Sequence, residues 1–257
     1  MPVRKIPKNY TTVTGLASSP KSEEPIGYEG RLEFYCIKVV SFNLNVVSCE
    51  EQPVKIRFQD GAGKNRTYTP DLLITFKKHL HPPELWKPLL VEVKPRRRLF
   101  KNLSEFRPKF RAARRHVEER GQDFTIITDR EIVGPYLRSV LFLLKFRTFP
   151  VDPDATALLV NTIRDLGTTT PHILILKVAD TETRRGELLP TLWQLVANFS
   201  IGANLEERLT MQSPIWWPEE SASGTQEVEI VRERIHRNRW RALRCTGPFL
   251  DCRRQEK

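Results

Sequence analysis

The segment PLLVEVKP, residues 88–95, constrains the fold of this chain more than any other, because it is a short Leu/Val run closed at both ends by proline that also carries two opposite charges. A run of that length and composition reads as a β-strand lying centrally in a sheet. Alternate side chains of a strand share a face, so Glu92 and Lys94 project together. Ions buried at a sheet end are costly unless they are paired or bind a counter-ion, so the strand is built for chemistry as well as packing.

The flanking sequence supplies the rest of a mixed α/β domain. From Tyr28 to Phe42, apolar Leu32, Cys36, Val39 and Val40 recur at helical spacing, with Glu29 and Glu33 one turn apart on the same side. In PVKIRFQ, apolar Val54, Ile56 and Phe58 alternate with Lys55 and Arg57, and DGAGKN turns the chain into TYTPDLLITF, which reads as one antiparallel strand. After PLLVEVKP comes NLSEFRPKFRAARRHVEERGQ, a basic helix with Ser104 as its expected cap, Pro108 in or near its first turn and Gly121 at its end. DFTIITD is a further buried strand, and Asp129 is placed to cap a helix running through EIVGPYLRSVLFLLKF. The expected order is α-β-β-β-α-β-α.

Composition shifts divide the chain. Residues 1–26 carry Pro, Ser, Lys and Gly without periodicity and read as an irregular arm; a Pro/Asp-marked break, FPVDPDA, falls near residue 150. Beyond it, ATALLVNTIRDLG and ELLPTLWQLVANFSIG read as helices, followed by the turn-rich ANLEERLTMQSPIWWPEE. The expected plan is an arm over 1–26, a catalytic domain over 27–150, a small helical, winged-helix-like domain over 151–224 and a basic tail over 225–257. Trp216 and Trp217 belong to the core or an interface of the small domain rather than to a base-stacking platform.

Pro70-Asp71 lies about twenty residues before Glu92-Val93-Lys94. Strand pairing would bring Asp71 beside the two charges, so two carboxylates and an ammonium converge. Oxygen donors of this kind suit Mg²⁺, with Mn²⁺ able to substitute: Asp71, Glu92 and the Val93 carbonyl could serve as ligands, and Glu33 on the preceding helix adds a further carboxylate. Lys94 would orient or help deprotonate an attacking water. The chemistry expected is metal-dependent hydrolysis of a phosphodiester.

A formal net charge of +11 favours a polyanionic partner, and the run Arg96, Arg97, Arg98, Lys101 next to the site is suited to phosphate contacts. Arg107, Arg111, Arg114 and Arg115 on the following helix extend that basic face, and residues 231–257 add nine Lys+Arg against three acids. Cys36, Cys49, Cys245 and Cys252 have no CxxC spacing, which supports neither a zinc ribbon nor a disulfide framework. His79 and His81 sit in Pro-rich HLHPPELWKP and read as loop residues. No run approaches a membrane span and MPVRKIPKNY lacks an apolar signal core, so a cytoplasmic protein acting on DNA is expected.

Taken in order, KNYTTVTG, GRLEFY, VVSCEEQPV, YTPDLLITF and LLVEVKP resemble the successive blocks of TnsA endonucleases, the cutting subunits of heteromeric cut-and-paste transposases, over most of residues 8–130. The resemblance implies a restriction-endonuclease-like PD-(D/E)xK fold with Glu33, Asp71, Glu92 and Lys94 as the active site, and it places Gln52 of the EEQP block beside that site. Gly30 before Glu33 and Phe34-Tyr35 after it depart from the family pattern, which keeps Glu29 as an alternative helical carboxylate. The LPTLWQLVANFSIGANLEERLTMQSPIWW stretch is similar to the family's C-terminal winged-helix region. The implied role is cleavage of the 5′ strand ends of a transposon, with the integrase-type TnsB cutting the 3′ ends and the AAA+ ATPase TnsC meeting the C-terminal half. The alternatives are a stand-alone restriction or junction-resolving nuclease and a non-catalytic DNA-binding assembly subunit.

Overall fold

A computed structural model describes residues 13–78 and 87–218, which form a mixed α/β structure. They divide into two compact units, one ending at Ile132 and the other beginning at Val133. The HLHPPELWKP histidines, Cys245, Cys252 and the basic tail lie outside the described residues.

The first unit is built on a four-stranded sheet of order β3-β6-β7-β8, comprising Val46–Glu51, Leu72–Phe76, Leu89–Val93 and Asp123–Ile127. The first three strands run antiparallel, and β8 joins β7 in parallel with Glu92 opposite Ile126. All five residues of β7 are buried, as its Leu/Val run requires of an internal strand, whereas β8 is largely half-buried because it forms the sheet edge. Helix α3, Leu103–Glu118, covers the face carrying Leu90, against which Ala112, Ala113 and Val117 pack. Helix α1, Arg31–Phe42, packs across β3 and β7 through an inward stripe of Cys36, Ile37, Val40 and Ser41.

Several local readings change. Residues 14–17, expected in an irregular arm, form strand β1 (Thr14–Ala17), which pairs antiparallel with β2 (Ile26–Glu29); Tyr28 and Glu29 are therefore extended, and the helix begins after Gly30. TYTPDLLITF is not one strand. Its first part, β5 (Asn65–Tyr68), forms a hairpin with β4 (Ile56–Gln59) in a separate sheet, and Pro70 stands at the break because it offers no N–H for continuous pairing. The Arg-rich run is itself a short helix, α2 (Arg96–Lys101). Helix α3 starts at Leu103, with Asn102 rather than Ser104 in the cap position, and Pro108 lies inside it. The helix expected after Asp129 breaks at Gly134-Pro135 into α4 (Asp129–Ile132) and α5 (Pro135–Leu143). Thr128 supplies the cap instead: Arg130 N–H donates to its hydroxyl and its own N–H donates to Glu131, a reciprocal capping box, while Asp129 accepts from the Arg96 N–H.

In the second unit, α5 is followed by α6 (Pro153–Leu166), β9 (Thr168–Thr169), α7 (Pro171–Val178), α8 (Glu182–Ala197), β10 (Gly202–Ala203) and β11 (Ile215–Trp216). Each of α6, α7 and α8 is capped by an oxygen side chain, Asp152, Thr170 and Thr181, that accepts backbone N–H bonds of the first turn. The three strands pair antiparallel in the order β10-β11-β9, and Leu159, Ile163, Leu174, Leu188, Leu192, Ile201 and Ile215 are buried. Helix α7 was not visible in the periodicity because PHILILKV is apolar on nearly every side. Trp217 lies under the Arg164 guanidinium at 4.8 Å and Trp216 closes over Gly202, consistent with packing roles for both rings.

Candidate active site

The break at Thr69-Pro70 delivers Asp71 to the start of β6 with its backbone fully engaged. Its N–H donates to the Val91 carbonyl at 3.0 Å, and its own carbonyl accepts from the Gln52 N–H at 2.8 Å. The side chain then reaches across to β7, where Asp71 Oδ2 accepts from the Val93 N–H at 2.6 Å. Asp71 is thus fixed beside the two charges of β7 by three hydrogen bonds, none of which depends on a flexible partner.

Strand alternation brings Glu92 and Lys94 to one face, and Lys94 Nζ lies 3.0 Å from Glu92 Oε1. Glu92 is only 1% exposed, so its charge needs internal partners. It has three: Lys109 of α3 also approaches Oε1 at 3.0 Å, and the Tyr68 hydroxyl donates to Oε2 at 2.8 Å. Lys109 in turn sits over the rings of Phe106, Tyr68 and Phe110 at 4.5, 4.8 and 5.2 Å. Neither Lys109 nor Tyr68 was assigned a site role from sequence. The signal was nonetheless present, because Lys109 falls on the inward stripe Phe106, Phe110, Ala113 and Val117 of an amphipathic helix, and a charge there requires a buried partner.

Glu33, in the first turn of α1, faces the same cleft, and its Oε2 accepts the Glu29 N–H at 2.7 Å. Glu29 is thereby placed as a backbone donor to Glu33 at the end of β2, although its side chain also borders the cleft. The cleft has a volume of about 1040 Å³ and carries basic Lys55, Arg66 and Arg98 on its walls. Gln52 also lines it; this residue has a left-handed backbone (φ 44°), and its buried amide oxygen has no hydrogen-bond partner among the described residues. The remaining basic candidates, Arg96, Arg97 and Lys101 of α2 and Arg111 and Arg115 of α3, are exposed.

The electrostatics follow from burial first and crowding second. Burial pushes the Glu33 carboxyl up to about 7, helped by the charges of Glu29 and Glu92 and opposed by the Glu29 N–H and Lys94. Desolvation holds Asp71 well above the usual carboxylate range, with the Glu92 and Glu33 charges adding to it against Lys94 and the Val93 N–H. Burial alone would lower the Lys94 ammonium, but Glu92, Asp71 and Glu33 outweigh it and keep the group above its ordinary value. Buried carboxyls that hold protons because desolvation, and then the neighbouring carboxylates, disfavour their charged forms make a donor set suited to a hard divalent cation, which would let them ionise together. The side chains do not already close on a point: among the described residues no three Asp, Glu, His or Cys groups form a preformed metal cage, since Glu92 is turned to its lysines and Tyr68 and Glu33 to the Glu29 amide.

Residues 43–129 match the family described as TnsA-like endonuclease N terminal. This span holds Gln52, Tyr68, Asp71, Glu92, Lys94 and Lys109 and leaves Glu33 outside it. No curated protein gives a significant match.

Proposed function

We propose that the TnsA-like endonuclease domain of this chain is a PD-(D/E)xK nuclease that hydrolyses DNA phosphodiesters, with Asp71, Glu92 and Lys94 at the reacting centre and Glu33 as an additional carboxylate. The observation that carries the reading is the fixing of Asp71 against β7 by the Val93 N–H, which gathers two carboxylates and a lysine in a cleft walled by basic residues. Glu33, Asp71, Glu92 and the Val93 carbonyl would hold Mg²⁺, or Mn²⁺ in its place. Such an ion supplies Lewis-acid stabilisation of the phosphorane charge and a more acidic water. Lys94, which its carboxylate neighbours hold in the ammonium form, would orient an attacking water and donate to the charge developing on the phosphate rather than act as the base. Arg98 within the cleft and Arg96, Arg97, Lys101, Arg111 and Arg115 outside it offer the phosphate contacts that set the path of the strand.

The biological reaction supported best is cleavage at the 5′ strand ends of a transposon, in company with an integrase-type TnsB and an AAA+ TnsC that meets the C-terminal half. The α-β-α-α-β-β order of that half, from α6 to β11, has the element sequence of a winged helix. The test is strand cleavage of transposon-end DNA by the full chain with Mg²⁺ and its partner proteins. Asp71→Asn and Lys94→Ala should each cut at least about 100-fold more slowly while still binding DNA; wild-type rates in either would refute the site.

A further inference from the structure

Glu92 is the most heavily engaged side chain of the centre, and two of its three partners come from elements outside the β6-β7 pair. Tyr68, the last residue of β5, is 5% exposed and gives its hydroxyl to Oε2; Lys109, from α3, meets Oε1 beside Lys94. Both are themselves immobilised. Tyr68 packs edge-on to Phe110 with ring centroids 6.4 Å apart, and Lys109 is enclosed by Phe106, Phe110 and Tyr68. A residue that served only to neutralise Glu92 would need no such cage, because Lys94 already pairs with the same oxygen at 3.0 Å.

We infer that Tyr68 and Lys109 form a clamp that sets the orientation of the Glu92 carboxylate, and so are positioning residues for the metal-dependent reaction. The inference rests on the nuclease reading of Asp71, Glu92 and Lys94. Glu92 alone, at the end of a strand facing an open cleft, could rotate about its side-chain bonds. With each oxygen tied to a different element, the carboxylate is held in one plane, and the hairpin β4-β5 and helix α3 are coupled to the chemistry of β7. Donors that orient a metal-binding carboxylate in this way typically affect metal affinity or activity by about 10–100-fold when removed.

Two measurements on the full chain test the clamp. In the first, stability to urea is measured for Tyr68→Phe, Lys109→Met, Glu92→Gln and the two double variants with Glu92→Gln. Partners of Glu92 should show strong coupling, each clamp substitution costing clearly less once Glu92 is already changed; simple additivity would overturn the clamp. In the second, Mn²⁺ binding is followed by calorimetry. Tyr68→Phe removes one hydroxyl without changing packing and should bind Mn²⁺ about 10-fold more weakly than wild type, in line with the loss of an orienting donor. Wild-type Mn²⁺ affinity in Tyr68→Phe would overturn the positioning role even if the residues are coupled. Asp71→Asn separates this from the underlying reading: if it, too, binds Mn²⁺ as wild type does, the metal site itself lies elsewhere and the inference falls with it.

Discussion

Glu33 shows how much a single carboxyl is worth before any cation arrives. Its folded value of about 7 stands above the ordinary glutamate value of 4.5, so the folded protein holds a proton that the unfolded chain has released between those values. The stabilising proton is fully present below about 4.5 and is lost as pH rises through 7. Asp71 shifts in the same direction and adds to the effect. Without divalent cation, stability should therefore fall between about pH 4.5 and 7, by about 3 kcal/mol from Glu33. Glu33→Gln, which keeps the acceptor for the Glu29 N–H but cannot ionise, should flatten that slope; denaturant titrations at several pH values would show it, and an unchanged slope would remove Glu33 from the coupled cluster. The same substitution should reduce DNA cleavage far more than Glu29→Gln, since Glu29 meets Glu33 through its backbone N–H. Equal losses would return the helical role to Glu29.

At the scale of elements, what sequence could reveal was governed by whether the signal was local. PLLVEVKP announced a buried central strand because its composition leaves no other environment, and the DGAGKN hairpin announced itself by turn chemistry. The Asp71, Glu92, Lys94 grouping was legible because alternation along one strand and pairing with the next are short-range rules. Lys109 and Tyr68 were not assigned because their partner is contributed by a strand 17 and 24 residues away, and only the packing of α3 and the hairpin brings them to it. The split of TYTPDLLITF and the break at Gly134-Pro135 were missed for a related reason: the apolar pattern runs on through both prolines, whereas the missing N–H of Pro70 interrupts the strand and Pro135 opens a new helix. The small sheet of the second unit, with strands of two residues, gave no periodicity at all. Its existence depends instead on a close approach, since a Cβ on Gly202 would stand 2.2 Å from the Trp216 indole nitrogen. Gly202→Ala should force the indole aside and cost about 1–3 kcal/mol in that unit, visible as a lowered Tm and a shifted tryptophan emission; an unperturbed melt would show that the ring has room to move.

For the whole molecule, charge is distributed more unevenly than fold. Of the net +11, residues 231–257 contribute +6, leaving +5 on the other 230 residues, so the tail holds most of the long-range attraction to a polyanion in about a tenth of the chain. The cleft, by contrast, balances its lysines and arginines against Glu33, Asp71, Glu92, Glu29, Asp60 and Glu105, which makes it a place for local recognition rather than for capture at a distance. Attraction and chemistry should then separate under salt. Each phosphate neutralised by a cationic side chain releases counter-ions, so the logarithm of the DNA association constant falls with the logarithm of salt concentration in proportion to the number of such contacts. A chain ending at residue 230 should bind DNA more weakly at low salt, show a shallower salt dependence, and converge with the full chain as salt rises and screening shortens the reach of the tail. Its cleavage rate on saturating DNA should be unchanged, because Asp71, Glu92 and Lys94 and their partners Tyr68 and Lys109 all lie within residues 68–109. Fluorescence anisotropy across a salt series, paired with single-turnover cleavage, measures both quantities. A full-length salt slope in the shortened chain would show that the tail adds no phosphate contacts and that those of α2 and α3, where Arg96, Arg97, Lys101, Arg111 and Arg115 stand exposed, account for the salt-dependent binding.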